Sequence, residues 1–146
     1  MRGREAEGPL PDPLGYLLTW NTYGTWLPGD DRGWIEYRHG GQLPNPILRL
    51  ESSARMSEDA YRLDLLERRE VEAQVAETCR FRNWPLYAVN CRTNHIHVVV
   101  AAAAHPKRVR SQLKAWCSRR LTTFHLERST LHAGSTMRDN WWAERG

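Results

Sequence analysis

The chain has 146 residues, about the length of one domain with a single hydrophobic core, and a formal net charge of +4. No apolar run approaches the ~20 residues of a membrane-spanning helix, and the first residues lack the apolar segment of a signal peptide, so the expected location is the cytoplasm. The three cysteines show no Cys-x-x-Cys spacing, which argues against a disulfide framework and against a zinc finger.

The first part of the chain is predicted to hold one strong strand between irregular segments. Residues 1–15 are rich in glycine, proline and charge and are predicted to form a disordered arm, followed by one domain over residues 16–146. The β-branched and aromatic residues at 16–23 predict a strand. An irregular stretch follows it as far as Ser57, with a short strand at 34–37.

The second part alternates helical and strand patterns. Ser57 followed by two acids predicts a helix start, and a shift of the apolar register near Glu67 separates a short piece from the main helix. Asn83-Trp84-Pro85 ends this helix, and residues 86–93 alternate as a second strand. A last helix is predicted from Pro106 to about Glu127, with an apolar stripe formed by Val109, Leu113, Trp116, Cys117, Leu121 and Phe124.

The most informative segment is the strand that begins His95-Ile96-His97. In an extended strand alternate side chains share a face, so His95, His97 and Val99 lie on one face and the β-branched residues between them on the other. Two imidazoles side by side on a rigid sheet can supply two nitrogen ligands to a divalent metal. A pair of half-exposed strand histidines without a ligand is the alternative.

Basic side chains are concentrated after this strand. Residues 105–146 hold nine Lys or Arg against three acids, a charge of +6, whereas residues 1–104 carry −2. Such a segment suits a polyanion near the proposed metal, or is simply a solvated helix face. Arg120 falls inside the apolar arc of the last helix, so it either extends to solvent or reaches an anion at the sheet edge. The predicted DNA-binding residues are Arg108, Lys114, Arg119 and Arg120.

Four sequence blocks in this order resemble the single-tyrosine HUH transposases, which include the REP-associated tyrosine transposases. The resemblance extends from about Tyr16 to the end of the chain. The blocks are Thr-Trp-Asn-Thr-Tyr-Gly-Thr-Trp-Leu-Pro-Gly-Asp with Arg-Gly-Trp at 19–34, Cys-Arg-Phe-Arg-Asn-Trp at 79–84, Asn-His-Ile-His-Val-Val-Val at 94–100, and Gln-Leu-Lys-Ala-Trp-Cys-Ser-Arg-Arg-Leu at 112–121.

The resemblance implies an α+β, ferredoxin-like fold, an antiparallel sheet with helices on one face. It also implies that His95 and His97 bind Mg²⁺ or Mn²⁺ on the open sheet face, where the metal polarises a phosphate of single-stranded DNA. In the family a tyrosine hydroxyl then attacks, which leaves a 5′-phosphotyrosine link that permits later rejoining. Members typically act as dimers and recognise DNA hairpins, so single-stranded or hairpin DNA and a second copy are the expected partners.

The chain departs from the family pattern at the nucleophile. Family members carry the tyrosine on a helix after the histidine strand, with a polar metal ligand, commonly Gln, about one turn later. All five tyrosines of this chain precede His95. The resemblance therefore implies a domain that lacks its C-terminal catalytic helix and is catalytically incomplete, with no catalytic residue to assign. Tyr23 is interpreted as a strand aromatic.

Two other classes of protein share features of this sequence. A histidine-triad nucleotide hydrolase needs a third histidine at the next same-face position, which is Val99 here, so that class fails at its nucleophile. A non-catalytic nucleic-acid-binding domain on a ferredoxin-like scaffold remains an alternative, and it would bind DNA without metal.

Overall fold

The computed structural model describes residues 14–36, 39–131, 138 and 140–143. Residues 1–13, on which most of the predicted disordered arm falls, lie outside the described residues. In chain order the elements are β1 Tyr16–Asn21, β2 Trp34–Glu36, β3 Gly40–Gln42, α1 Pro46–Ala54, α2 Leu65–Arg82, β4 Leu86–Cys91, β5 His95–Val100 and α3 Pro106–Leu131.

The main sheet has three antiparallel strands in the order β1-β5-β4, and β2 and β3 form a separate two-stranded ribbon. The register pairs Thr19 and Asn90 with His97 from either side. A register shift between Leu86 and Ala88 interrupts the pairing of β4. This α+β arrangement of a three-stranded antiparallel sheet with three helices is consistent with the predicted ferredoxin-like class.

One face of the sheet packs against α2 and α3. Ile96, Val98 and Val100 of β5 are fully buried in one cluster with apolar residues of both helices. The other face carries no helix from this cluster. We call it the open face; it comprises Leu17, Thr19, Asn21, Ala88, Asn90, His95, His97 and Val99. Among the described elements, the open face is therefore the side of the sheet on which no helix packs.

The helix boundaries follow from local capping. Asp64 and Glu67 form a reciprocal capping box that begins α2, and Asn83 ends it in the left-handed conformation at φ 56°. The predicted helix start at Ser57 is wrong, because the segment from 57 to 64 is not helical. Instead the Ser57 backbone N–H donates to the Tyr23 hydroxyl at 3.1 Å.

Helix α1 is missing from the sequence prediction, which placed irregular chain over residues 46–54. Asn45 caps it through a side-chain bond from the Leu48 N–H, and Pro46 occupies its first turn. None of its residues is buried, and its apolar side chains Ile47 and Leu50 are exposed, so the helix contributes nothing to the core of the described chain.

Candidate metal and nucleic-acid site

The two histidines of β5 lie side by side on the open face. Their ring centroids are 4.9 Å apart and the ring planes cross at 74°. His97 is exposed and His95 is half-buried, while Ile96 between them is fully buried in the core. The strand therefore presents both imidazoles to solvent from a backbone that its reverse side anchors. Val99 occupies the next same-face position, where a histidine-triad hydrolase needs its nucleophile.

Each ring is oriented by a hydrogen bond at Nδ1. The Nδ1 of His97 lies 3.0 Å from the Thr19 hydroxyl on the neighbouring strand, and the Nδ1 of His95 lies 2.8 Å from the Asn94 carboxamide oxygen. When Nδ1 donates in both bonds, the Nε2 lone pairs remain available, and no described residue forms a hydrogen bond with either Nε2. Such partners fix the tautomer and orientation of histidines that ligate metals.

The electrostatic surroundings of His95 favour its neutral form. Burial lowers the pKa of His95 below its ordinary value, and the neighbouring His97 and Arg92 lower it further. Neutral imidazole is the form that binds a metal ion. The local charges and the ring orientations therefore point to the same protonation state.

Two imidazoles are an incomplete set of protein ligands. The described part of the chain contains no group of three His, Cys, Asp or Glu side chains placed to hold a metal ion. The cross-strand neighbours of the pair are instead Asn21, opposite His95, and Thr19 and Asn90, on either side of His97. Amide and hydroxyl oxygens, water and a phosphate suit Mg²⁺ or Mn²⁺, and imidazole is accepted more readily by Mn²⁺. The residues fit a partly solvated Mn²⁺ or Mg²⁺ that shares its remaining positions with a ligand.

The sequence indicated the two histidines but not these neighbours. Thr19 and Asn90 are 78 and seven positions from His97 in sequence, and only the strand order brings them to it. Asn94 directly precedes the two histidines in sequence, so its carboxamide is the one hydrogen-bond partner of the pair that the sequence could have suggested.

The loop between β1 and β2 leaves the sheet at the His95 end, since Asn21 pairs with His95. It is built around the buried Asp30, whose carboxylate takes two bonds from the Arg32 guanidinium at 2.8 and 2.9 Å. This partner lowers the pKa of Asp30 to about 2. At Gly29, with φ 88°, a Cβ would lie 2.4 Å from the Asn45 carbonyl oxygen, so glycine is required there. The loop that begins at the His95 end of the sheet is therefore held by a buried carboxylate and by close packing at Gly29.

An aromatic side chain stands exposed on this loop. Trp26 is 44% exposed, and its indole N–H donates to the Gly33 carbonyl at 2.7 Å. The Arg32 guanidinium lies over its ring at 5.9 Å. An aromatic held in this way can stack with an unpaired base.

The predicted DNA-binding residues of α3 do not share a face with the histidines. Helix α3 packs on the core face of the sheet, whereas His95 and His97 lie on the open face. Strand alternation turns the histidines away from the helix that follows them, so the basic helix and the histidine pair lie on opposite sides of the sheet. A polynucleotide must pass around the sheet to contact both.

The four basic residues have different surroundings. Arg119 is exposed and lies over the Trp116 ring at 4.7 Å. Arg108 is exposed and lines an open cleft near the start of α3. Lys114 is half-buried, and its ammonium group donates to the Ala143 carbonyl at 2.9 Å; burial, with a smaller effect of Arg110, lowers its pKa.

Arg120 forms ion pairs inside the fold. Its guanidinium contacts Glu70 at 2.6 Å and Glu77 at 3.0 Å, both on α2. Neither sequence-based alternative, solvent or an anion at the sheet edge, describes this position. Arg120 can lie within the apolar arc of α3 because Glu70 and Glu77 on the adjacent helix α2 pair with its guanidinium.

Replacing Arg120 with methionine is expected to lower the free energy of unfolding by about 1 kcal/mol, because the half-buried Glu70 and the exposed Glu77 lose their cation. Denaturant unfolding measures this loss, and the matched control is Arg119→Met, which removes a neighbouring charge that has no carboxylate partner among the described residues. The same two variants test the DNA-binding prediction. A salt slope that falls for Arg120→Met as much as for Arg119→Met, with no loss of stability, would assign Arg120 to DNA instead of the fold.

Comparison with protein-family models, with curated proteins and with solved structures found no match. In addition, no helix in the described ranges combines the length and apolar character required to cross a membrane. The interpretation of the site therefore depends on its own geometry and on the sequence blocks given above.

Proposed function

We propose that this chain binds single-stranded or hairpin DNA at the open face, with Mn²⁺ or Mg²⁺ held by His95 and His97, as in transposases of the single-tyrosine HUH type. The observation that carries the proposal is the pair of adjacent imidazoles whose Nδ1 atoms are engaged and whose Nε2 atoms lack a partner among the described residues. A strand histidine that serves only in packing does not need a hydrogen bond at Nδ1 that leaves Nε2 available beside a second imidazole.

The residues of the open face have separate roles in this proposal. Thr19 and Asn94 hold the two rings in position, and the buried side of β5 keeps the strand rigid. When bound, the metal supplies charge stabilisation to a phosphoryl oxygen of the DNA. Trp26, on the loop that leaves the sheet at the same end, offers a ring for an unpaired base. The proposed activity in DNA transposition is strand cleavage and rejoining, for which this chain supplies the metal and DNA contacts.

A non-catalytic nucleic-acid-binding domain is the second candidate. It is favoured by Arg119 and Trp116, which present a guanidinium stacked on an exposed aromatic away from the histidine face. Such pairs bind single strands without sequence preference and without metal. The two candidates differ in one measurable property, the dependence of DNA affinity on a divalent ion.

A titration of labelled hairpin DNA, followed by fluorescence anisotropy, separates the candidates. With Mn²⁺ in place of EDTA we expect the affinity of the unchanged chain to rise about tenfold or more, the scale on which metal-site contacts act. His95→Ala/His97→Ala is expected to abolish this gain and to leave the affinity in EDTA unchanged.

The matched control is His39→Ala, which removes an exposed histidine next to the β2–β3 ribbon. Thr19→Val provides a graded test, because it removes the hydroxyl that orients His97 while keeping a β-branched strand residue. A gain from Mn²⁺ that survives in the double histidine variant would contradict the proposed metal site. An affinity that is equal in Mn²⁺ and EDTA for the unchanged chain would favour the non-catalytic domain.

A further inference from the structure

A second candidate site lies at the opposite end of the sheet from the first histidine. An open cleft of about 650 Å³ is bounded by the α2–β4 connection, the β5–α3 connection and the first turns of α3. Since His95 begins β5 and the cleft adjoins the segment after Val100, the two are separated by roughly 17 Å along the strand. Its lining includes Arg82, Trp84, Arg108 and Gln112.

The cleft carries two cations without an acidic partner among the described residues, although the Arg82 guanidinium lies over the exposed Phe81 ring at 5.7 Å. Arg82 and Arg108 are exposed, and within the described residues neither forms an ion pair. None of the described residues that line the cleft is acidic. Other arginines are paired with carboxylates, namely Arg32, Arg49, Arg120, Arg128 and Arg138. Two unpaired guanidinium groups at one concave surface favour a ligand with a phosphate or another anion.

The rest of the lining is suited to a base. Gln112 lines the cleft, and its buried Oε1 atom has no hydrogen-bond partner among the described residues, which is uncommon for a polar atom in a folded protein. Trp84 is half-buried and adds an aromatic surface. The wall formed by Ala101–Ala104 has only methyl side chains, which leaves the cleft open. A simple anion would use the arginines but would leave the carboxamide without a donor.

We propose that this cleft binds one nucleotide of a single-stranded nucleic acid, with its phosphate between Arg82 and Arg108 and its base against Trp84 and Gln112. The proposal rests on the proposed DNA-binding function and adds a second contact that requires no metal. A strand that passes through the cleft continues at the far end of the sheet from His95. The two sites together then fix the position and direction of the strand on the domain.

The test measures binding of a fluorescein-labelled, single-stranded oligonucleotide in EDTA at several salt concentrations. Arg82→Ala/Arg108→Ala is expected to weaken binding about tenfold and to reduce the salt slope by about 1.4, the value for two phosphate contacts on a single strand. The control is Arg62→Ala/Arg69→Ala, which removes two exposed arginines that have no ion pair among the described residues and lie outside the cleft. Equal affinities and slopes for the two double variants would overturn the proposal while leaving metal-dependent binding intact.

Gln112→Leu tests the base contact separately from charge. We expect weaker binding with an unchanged salt slope, and a melting temperature equal to or above that of the unchanged chain, because an unpaired buried polar atom is removed. A lower melting temperature with unchanged binding would assign Gln112 to packing and overturn the base contact.

Two further outcomes identify the wrong ligand. Absence of oligonucleotide binding in both EDTA and Mn²⁺ would overturn the proposed function and this inference together. Displacement of the oligonucleotide by poly-glutamate at an equal concentration of charges would indicate a site for acidic protein segments. Light-induced crosslinking of a 5-iododeoxyuridine oligonucleotide is expected to label the peptide that contains Trp84, and labelling elsewhere alone would contradict the placement.

Discussion

Replacing Glu67 with alanine is expected to lower the free energy of unfolding by about 3 kcal/mol and the melting temperature by about 10 °C. Glu67 is 2% exposed, and its carboxylate joins three parts of the chain. It accepts the Asp64 backbone N–H at 3.0 Å, the Tyr61 hydroxyl, and a bond from His125 Nε2 at 3.1 Å. Removing this buried carboxylate takes away the acceptor that these three groups share.

The size of the effect comes from the position of this carboxylate. It begins α2 through the capping box, and through His125 it ties that helix to the far half of α3. Trp141 packs on both rings of the cluster, with centroids 5.1 Å from Tyr61 and 4.9 Å from His125. Burial and the adjacent carboxylate raise the pKa of Tyr61, so its hydroxyl stays protonated and donates. The cluster therefore joins the start of α2, the second half of α3 and the segment at Trp141 to one another.

Two variants make the stability prediction specific. Glu67→Gln keeps the side-chain shape and an oxygen for the Asp64 N–H, so it should lose less than half as much stability. Glu51→Ala removes an exposed carboxylate on α1 and should change stability by less than 0.5 kcal/mol, as is usual for surface positions. Denaturant unfolding followed by circular dichroism measures all three. A loss below about 1 kcal/mol for Glu67→Ala would show that the cluster is not a structural centre.

The elements that the sequence predicted well are those whose signals are local. Strand β5 follows from alternation alone, since every second residue from Ile96 to Val100 is buried. Helix α3 follows from its apolar stripe, of which Val109, Leu113 and Leu121 are fully buried. The placement of the histidines on the face opposite the core needed no more than this alternation.

The features that the sequence could not indicate depend on which elements meet. The sequence shows a shift of the apolar register near Glu67. The role of its carboxylate as a shared acceptor depends on Tyr61 and His125, which only the tertiary structure brings to it. Arg120 was recognised as unusual in an apolar arc, but its partners depend on the register of α2 against α3. The cleft between two chain connections has no periodic pattern at all, so it could be found only in three dimensions.

We also expect that this chain forms no covalent link to DNA. A phosphotyrosine intermediate requires a hydroxyl within about 3–3.5 Å of in-line attack on the metal-bound phosphate. No tyrosine follows His97 in the 146 residues. The hydroxyl of Tyr61 is committed to Glu67, and that of Tyr23 accepts the Ser57 N–H. Tyr16 packs against the core, and Tyr37 lies outside the described residues.

Tyr87 is the tyrosine that tests this prediction most severely. Of the described tyrosines it alone is largely exposed, at 63%, and it lies at the register shift of β4, the strand beside β5. Asn90 on that strand pairs with His97, so Tyr87 is three residues from the proposed metal site along the strand, roughly 10 Å. The Tyr87 ring lies beside Gly15 and Val100, where a Cβ on Gly15 would be 3.5 Å from its Cε2 atom, so it is directed to the end of β5 away from the histidines.

Incubation of labelled hairpin DNA with the chain and Mn²⁺, followed by a denaturing gel, measures the prediction. We expect free DNA without a protein adduct, and at most the slow background cleavage that metal and binding provide without a nucleophile. Any cleavage should disappear in His95→Ala/His97→Ala, because it depends on the same metal. A covalent adduct that is lost in Tyr87→Phe or Tyr23→Phe, but retained in the matched Tyr16→Phe control, would contradict the prediction. That result would place the nucleophile on a strand or loop of this sheet instead of on a helix that follows the histidines.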